Sequence, residues 1–229
     1  MALALPLSLQ HLEHKLKLVP AESVRALQGV GAPTGWPELD ALLEGRALPK
    51  GVVELVAHGG LSGATAIALS CVRGVQRALP RTWCAWVDSE QSLYAPGVAM
   101  SGVALSRLLV VRPRPDQVLR TALRLVRAGA FEMVVVDAEP ASIVQAAGAH
   151  IALENTARKL ALYAEEAGVS VVLLTHAGRA RRAPLTATMR IELRRSQLHV
   201  DARVVREKSG YGGRDAQLVW AHRPHELYT

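Results

Sequence analysis

Aromatic residues are scarce in this chain: Phe, Trp and Tyr together make up 4% of its 229 residues. Any core must therefore be built mainly from Ala, Val and Leu. Half of the residues are apolar, which over this length is enough for one domain of ordinary size with a substantial core.

Cysteine is also rare. The chain has Cys71 and Cys84, and their spacing matches neither a metal site nor a disulfide framework. We predict two buried thiols in a protein of the reducing cytoplasm, with no bound metal.

Long apolar runs are missing as well. No stretch approaches the ~18 uninterrupted apolar residues of a membrane-spanning helix. The apolar start, Met1 to Leu9, has no basic region before it and no clear cleavage site after it, so we do not expect a signal peptide. These absences predict a cytoplasmic protein without a membrane partner.

Positive charge is in excess, and it is concentrated in one region. The formal net charge is +7. Between Arg179 and Arg214 the acids are Glu192, Asp201 and Glu207, whereas the basic residues are Arg179, Arg181, Arg182, Arg190, Arg194, Arg195, Arg203, Arg206, Lys208 and Arg214. Such a field suggests a polyanion or an acidic protein as partner. The alternative is the solvated face of an arginine-rich protein.

Apolar runs alternate with amphipathic segments through most of the chain. The runs predict strands, and the segments predict helices, such as 64–79 and 116–127. This alternation is typical of an α/β fold with a mainly parallel sheet flanked by helices. After Leu185 the helical patterns cease, and three further strands, at 188–194, 198–207 and 216–221, are expected to form antiparallel edge strands at the C-terminal end.

Three segments are predicted. Residues 1–32 form a helix and linker, 33–221 the core and 222–229 a tail. The first helix carries one apolar face, formed by Leu9, Leu12, Leu16 and Val19.

A loop between the first core strand and the following helix resembles a phosphate-binding loop. Such a loop needs G-x-x-x-x-G-K-[ST], in which backbone N–H groups and the lysine hold phosphates and the hydroxyl ligates magnesium. Here Gly63 and Thr65 remain, but His58 replaces the first glycine and Ala64 replaces the lysine. A methyl group offers no cation to developing negative charge, so we predict a chain without ATPase activity and without a bound cofactor.

Polar residues that follow other strands complete the pattern of a nucleotide site. Ligands of open α/β sheets bind beyond the carboxyl ends of the strands. Asp137 ends an apolar strand, as the acid that holds magnesium does. Glu90 follows another strand, where a base could orient water, and His176 ends a third, where a phosphate sensor would lie.

These segments together resemble the RecA core, from about Pro33 to Trp220. Thr34 to Asp40 resembles the family's T-G-x-x-x-L-D segment, and Asp88-Ser-Glu90 its D-x-E segment. Thr175-His176 occupies the place of the Asn-Gln pair that senses nucleotide. Arg206-Glu-Lys208 resembles the K-x-K that meets the ATP of a neighbouring protomer, and the segment from Arg179 to Arg182 lies where a DNA-binding loop would be.

The sequence also departs from the RecA pattern. The loop lysine is absent, and Gly97 falls near the position of the aromatic residue that packs on adenine. The segment from Ala177 to Pro184 is shorter than the family's second DNA-binding loop. These differences argue against hydrolysis, ordered filament growth and strand exchange.

Within this superfamily, a short chain with a degenerate loop is most similar to the ImuA group. That resemblance implies an accessory factor of SOS-induced mutagenesis and translesion synthesis. It would bind RecA, the ImuB-like polymerase subunit, or both, and the helix with Leu9 to Val19 would be a RecA contact.

Three other functions stay open at this stage. Arg179, Arg181 and Arg182 could contact single-stranded DNA without sequence preference. A residual ATPase would need a substitute lysine, for which Lys50 is the nearest in sequence. A SulA-like inhibitor of cell division resembles the same fold without a phosphate loop.

Overall fold

The computed structural model describes residues 34–43, 47–59, 63–137, 149–177, 186–197, 199–207 and 212–219. The helices are α1 (Pro37–Leu42), α2 (Ala64–Ala78), α3 (Ala95–Met100), α4 (Val118–Arg127) and α5 (Ala149–Ala167). The strands are β1 (Gly51–His58), β2 (Trp83–Asp88), β3 (Leu108–Val111), β4 (Phe131–Asp137), β5 (Ser170–His176), β6 (Met189–Arg195), β7 (His199–Glu207) and β8 (Arg214–Val219).

The strands form one sheet in the order β3-β2-β4-β5-β1-β6-β7-β8. Neighbours from β3 through β6 run parallel. The β6–β7 and β7–β8 pairs are antiparallel. The predicted fold class, a mainly parallel sheet with antiparallel strands at the C-terminal end, is confirmed.

The first of the three C-terminal strands differs from the expectation. β6 pairs with β1 in parallel, from Val53 opposite Met189 to His58 opposite Arg194. Its alternating pattern arises because Met189, Ile191 and Leu193 are buried on one face while the residues between them are more exposed. Alternation reports one-sided burial and carries no information on strand direction.

Central strands are buried on both faces, which explains their continuous apolar runs. Along β1, Val53, Leu55 and Ala57 belong to a core that includes α2. Val52 belongs to a second core that includes α4 and α5. Helices therefore cover the two faces of the parallel part of the sheet, as the sequence predicted.

The amphipathic pattern of α4 is confirmed in detail. Its predicted core side chains are buried, and its outward side chains are exposed: Val118, Ala122, Leu125 and Val126 face in, and Arg120, Arg124 and Arg127 face out. The helix ends before Gly129, which has a φ of +66°, the left-handed conformation typical of a residue after a helix end. Both cysteines are buried free thiols, as expected.

The segment from Thr34 to Asp40 is held together locally. The backbone N–H of Thr34 donates to Asp40 Oδ1 over 2.7 Å, and Leu39 is fully buried in the core. The helix that was expected over 36–45 is α1, which ends at Leu42. The short helix α3 was not predicted, because six residues that include Pro96 and Gly97 give no helical periodicity.

Two predicted segments lie outside the part of the chain that the structure describes. They are the N-terminal helix with Leu9, Leu12, Leu16 and Val19, and the tail at 222–229. The proposed boundaries at 32 and 221 stay predictions. Among the helices of the described ranges, none is long and apolar enough to cross a membrane.

A substitution at Gly51 measures how closely the start of β1 packs against its neighbours. Its φ is +110°, and an added Cβ would lie 3.1 Å from Glu165 Cγ and 3.3 Å from Thr188 Cβ. Gly51→Ala should lower the free energy of unfolding by about 2–4 kcal/mol, since a left-handed residue costs about 1–2 kcal/mol and overpacking adds about 1–3 kcal/mol. Urea denaturation measures this loss.

Gly129→Ala is the matched control. Gly129 also has a positive φ, but an added Cβ meets nothing within 4 Å, so only the backbone term of about 1–2 kcal/mol applies. Equal losses in the two variants would contradict the packing argument.

Candidate functional site

The loop that resembles a phosphate-binding loop connects β1 with α2. His58 is the last residue of β1, and Gly63 caps α2 with a φ of +81°. Ala64 is the first residue of α2, only 7% exposed, and packs in the core that contains α2. Thr65 is exposed. The side chain at the lysine position is therefore a buried methyl group, and residues 59–65 contain no basic residue.

The histidine at the first glycine position contacts the neighbouring strand. His58 Nε2 lies 3.1 Å from Glu192 Oε2 of β6, with both side chains partly exposed. This contact places a carboxylate beside the start of the loop. Sequence reasoning missed it, because a pair of residues so far apart in the chain leaves no local pattern.

Asp88 is a structural residue rather than an open ligand. Its carboxylate is fully buried. It accepts hydrogen bonds from the N–H groups of Ser92 (2.9 Å) and Leu93 (3.3 Å), and from Arg112 Nε (3.2 Å). These contacts hold the turn after β2, which carries the exposed Glu90.

Asp137 ends β4 directly opposite Asp88. Ser92 Oγ donates to Asp137 Oδ2 over 3.4 Å, so the turn that carries Glu90 contacts the end of β4. The two acids of the predicted nucleotide site, Glu90 and Asp137, thus lie at one edge of the sheet.

A charge network joins three strands below this edge. Glu54 of β1 is 1% exposed. Its carboxylate accepts a hydrogen bond from Thr175 Oγ1 of β5 over 2.9 Å and another from Arg190 Nε of β6 over 2.7 Å. Sequence reasoning overlooked this network, although one charged residue inside the apolar run Val52-Val-Glu-Leu-Val56 was the signal that could have revealed it.

The strand ends that carry the predicted site residues are neighbours in the sheet. β4, β5 and β1 are adjacent, and they end with Asp137, the exposed His176 and His58 respectively. Gly63, Ala64 and Thr65 follow β1 at the same edge. The structure therefore brings the predicted nucleotide-site positions together, while their roles stay predictions.

The described arginines of the basic C-terminal region are exposed at 194, 195, 203 and 206 and partly buried at 190 and 214. Arg190 is used by the buried Glu54. Arg203 Nε lies 3.6 Å from Asp215, and His199 Nε2 lies 3.2 Å from Asp201. Arg206 is exposed on β7. The other predicted contacts, Arg179, Arg181, Arg182 and Lys208, lie outside the described residues.

Lys50 is not a substitute for the missing lysine. It forms an ion pair with Glu132, immediately before β1 and at the start of β4. The eight residues of β1, at a rise of about 3.3 Å each, separate it from the loop by roughly 26 Å.

No group of three or more His, Cys, Asp or Glu side chains within the described ranges is arranged to hold a metal ion. What this edge does offer is the N-terminus of the fifteen-residue helix α2, whose first N–H groups can attract an anion.

An open, mainly parallel sheet with helices on both faces and a glycine-containing loop after its first strand defines the class of doubly wound α/β proteins. Residues 17–171 match the model of the RecA N-terminal domain. The chain therefore belongs to the RecA N-terminal domain family.

Curated relatives agree with this assignment. Protein RecA of Kineococcus radiotolerans is 35% identical over 115 residues, which are 50% of this chain and 32% of that protein. Protein RecA of Cutibacterium acnes is 33% identical over 141 residues, or 58% and 39% of the two chains. Protein RecA of Desulfovibrio desulfuricans is 37% identical over 115 residues, or 50% and 32%. The chain spans only about a third of the length of the relatives it matches.

The charge network around Glu54 predicts a strong coupling. Glu54→Leu leaves the largely buried Arg190 guanidinium without its carboxylate partner. Arg190→Leu leaves the buried Glu54 carboxylate without its guanidinium partner. Each single variant should lose about 3–5 kcal/mol of stability, whereas Glu54→Leu/Arg190→Leu should lose much less than the sum. A double-mutant cycle by urea denaturation measures the coupling, and additive losses would show that the two side chains do not depend on each other.

Proposed function

We propose that this chain is a RecA-family accessory protein that does not hydrolyse ATP and that acts by binding other proteins during DNA-damage tolerance. The observation that carries this proposal is Ala64, a buried methyl group at the position where the loop of an ATPase carries its lysine.

The missing cation matters because phosphoryl transfer depends on charge stabilisation. The protein contributes little covalent chemistry to this reaction, and cations neutralise the charge that develops on the transferred group. Removing one comparable donor from another enzyme costs about 3–4 kcal/mol, or a factor of 10²–10³ in rate. No basic residue of the loop replaces it, and Lys50 is held at the opposite end of β1.

The residues beside the loop also fit a nucleoside triphosphate poorly because of their charge and size. Glu192 Oε2 lies 3.1 Å from His58 Nε2, at the position of the first loop glycine. A carboxylate there repels bound phosphates, and the imidazole fills space that a glycine leaves open. The N-terminus of α2 supports at most weak binding of an anion.

Membership of the RecA N-terminal domain family supports a role in DNA recombination or repair. A chain that keeps the fold and lacks the loop lysine is suited to bind RecA, or a polymerase subunit of the ImuB kind, through surfaces shared with RecA. We therefore place it with the ImuA-like accessory factors of SOS mutagenesis, where it would shift repair from recombination towards translesion synthesis.

The hydrolysis half of this proposal predicts that the purified chain releases no phosphate from Mg-ATP above background, with or without single-stranded DNA. Ala64→Lys should raise the affinity for a fluorescent ATP analogue, because it restores the cation. Ala64→Met, which has a similar length and no charge, should not. A coupled phosphate-release assay and a fluorescence titration measure the two effects, and turnover by the unmodified chain at the rate of an active recombinase would overturn the proposal.

The partner half predicts an effect on RecA itself. Added to RecA on single-stranded DNA, the chain should shorten filaments and slow strand exchange in proportion to its concentration. Electron microscopy and a strand-exchange assay measure these changes, with heat-denatured chain as the control. Filament length and strand exchange that stay constant up to a molar excess would contradict binding to RecA.

A further inference from the structure

The outer surface of α4 carries positive charge without a compensating acid on the same helix. α4 contains three arginines and no acidic residue. Arg120, Arg124 and Arg127 are all exposed. At 100° per residue, positions i, i+4 and i+7 lie within about 60° of one another on a helix, so these side chains form one stripe.

The neighbouring helix extends this stripe across the seam between the two helices. The guanidinium of Arg127 lies 5.4 Å from the centre of the Tyr163 ring on α5, a cation–π contact that fixes which side of α4 faces α5. Lys159, one turn before Tyr163, is exposed and adds a further positive charge. In the described part of the chain, neither Arg124 nor Lys159 forms an ion pair.

The seam also offers apolar contact. Leu123 and Tyr163 are only partly buried against the core beneath them, and Leu162 is 53% exposed. α5 carries three acids, Glu154, Glu165 and Glu166. Glu166 is exposed one turn after Leu162 and Tyr163, so it bounds this region at its C-terminal end. Glu165 accepts a hydrogen bond from Thr188 of the loop before β6. Partly exposed apolar side chains flanked by cations form a surface with two kinds of contact.

We propose that this surface binds an acidic amphipathic helix of a partner protein. Its apolar side chains would pack on Leu123, Leu162 and Tyr163, and its carboxylates would pair with the stripe and with Lys159. The arginines are spaced by four and three residues, or about 6 and 4.5 Å along the axis, which is the spacing of carboxylates one turn apart on a second helix.

A nucleic acid fits this surface less well. Binding of single strands commonly uses exposed aromatic rings for stacking, and the face of the Tyr163 ring on which Arg127 lies is closed to a base. Apolar contact beside the charges favours the groove mode in which an amphipathic helix is bound.

This inference does not depend on the proposed loss of hydrolysis, because an active ATPase could carry the same surface. The test uses the full chain and a fluorescein-labelled helical peptide of about 18 residues, long enough to be helical in part on its own. The peptide carries Leu on one face and Glu on both flanks, and a second peptide has Lys in place of each Glu.

The chain should bind the Glu peptide in fluorescence anisotropy, and it should not bind the Lys peptide. Arg120→Glu/Arg124→Glu should weaken binding of the Glu peptide by at least about tenfold, equivalent to about 1.4 kcal/mol, and should strengthen binding of the Lys peptide. Added salt should weaken the complex of the unmodified chain, since exposed charges are screened.

Arg77→Glu/Arg81→Glu is the matched control. It makes the same charge change at exposed arginines in the last turn of α2 and just after it, on the other face of the sheet, and should change the affinity by less than about twofold. If both variants lose the same affinity for the Glu peptide, binding depends only on the overall charge of the protein. That result would overturn the proposal.

Two other outcomes also overturn it. One is that the Glu peptide fails to bind. The other is that oligo(dT) binds more tightly than the peptide and loses its affinity in Arg120→Glu/Arg124→Glu. If thermal denaturation shows that the charge-reversal variant does not fold, Arg120→Gln/Arg124→Gln replaces it, with an expected loss of about threefold, because it removes attraction without adding repulsion.

Discussion

Strand β1 is the constraint on which the rest of the structure depends. It is hydrogen-bonded along both edges, to β5 and to β6, and it is buried on both faces. Its one internal charge, Glu54, is compensated by Thr175 and Arg190 from those same neighbours. This arrangement fixes where the strand ends and where α2 begins, so the chemistry of the intervening loop is decided by the side chains at positions 58 and 64.

Local burial explains which parts of the fold could be predicted from the sequence. Each turn of α4 places one side against the core, so apolar residues recur along the helix at Val118, Ala122 and Leu125. This spacing can be seen in the sequence. The buried central strands are recorded in the same way by their continuous apolar runs. The phosphate-loop comparison located the candidate edge because a short motif keeps its residues close together in sequence.

Long-range pairing explains what could not be predicted. Three features depend on residues that are far apart in the chain. They are the pairing of β6 with β1, the contact of His58 with Glu192 and the network around Glu54. The apolar pattern of a sequence indicates which side chains are buried. It does not indicate which other side chains they contact. The hydrogen bond that Arg112 donates to the buried carboxylate of Asp88 is a further long-range contact of this kind.

The molecule has the scaffold of its family, and in our proposal the chemistry at its strand ends differs from that of an ATPase. A fold does not determine a function, which resides in the groups that the fold positions. Asp137, Glu90 and the helix N-terminus of α2 occupy one edge, but the cation that would hold the terminal phosphates is replaced by a methyl group. The exposed arginines of α4 lie on another part of the surface, and we propose that they contact another protein.

The most direct measurement of the central claim is the melting temperature of the unmodified chain in the presence of millimolar Mg-ATP. A ligand present at 100 times its dissociation constant stabilises a protein by about 2.7 kcal/mol, which in a domain of this size raises the melting temperature by roughly 5–10 °C. Our account predicts that Mg-ATP changes the melting temperature no more than the same concentration of Mg-ADP or inorganic phosphate does. If the melting temperature rises by several degrees with Mg-ATP and not with Mg-ADP or phosphate, the protein binds the terminal phosphate. That result would contradict the account.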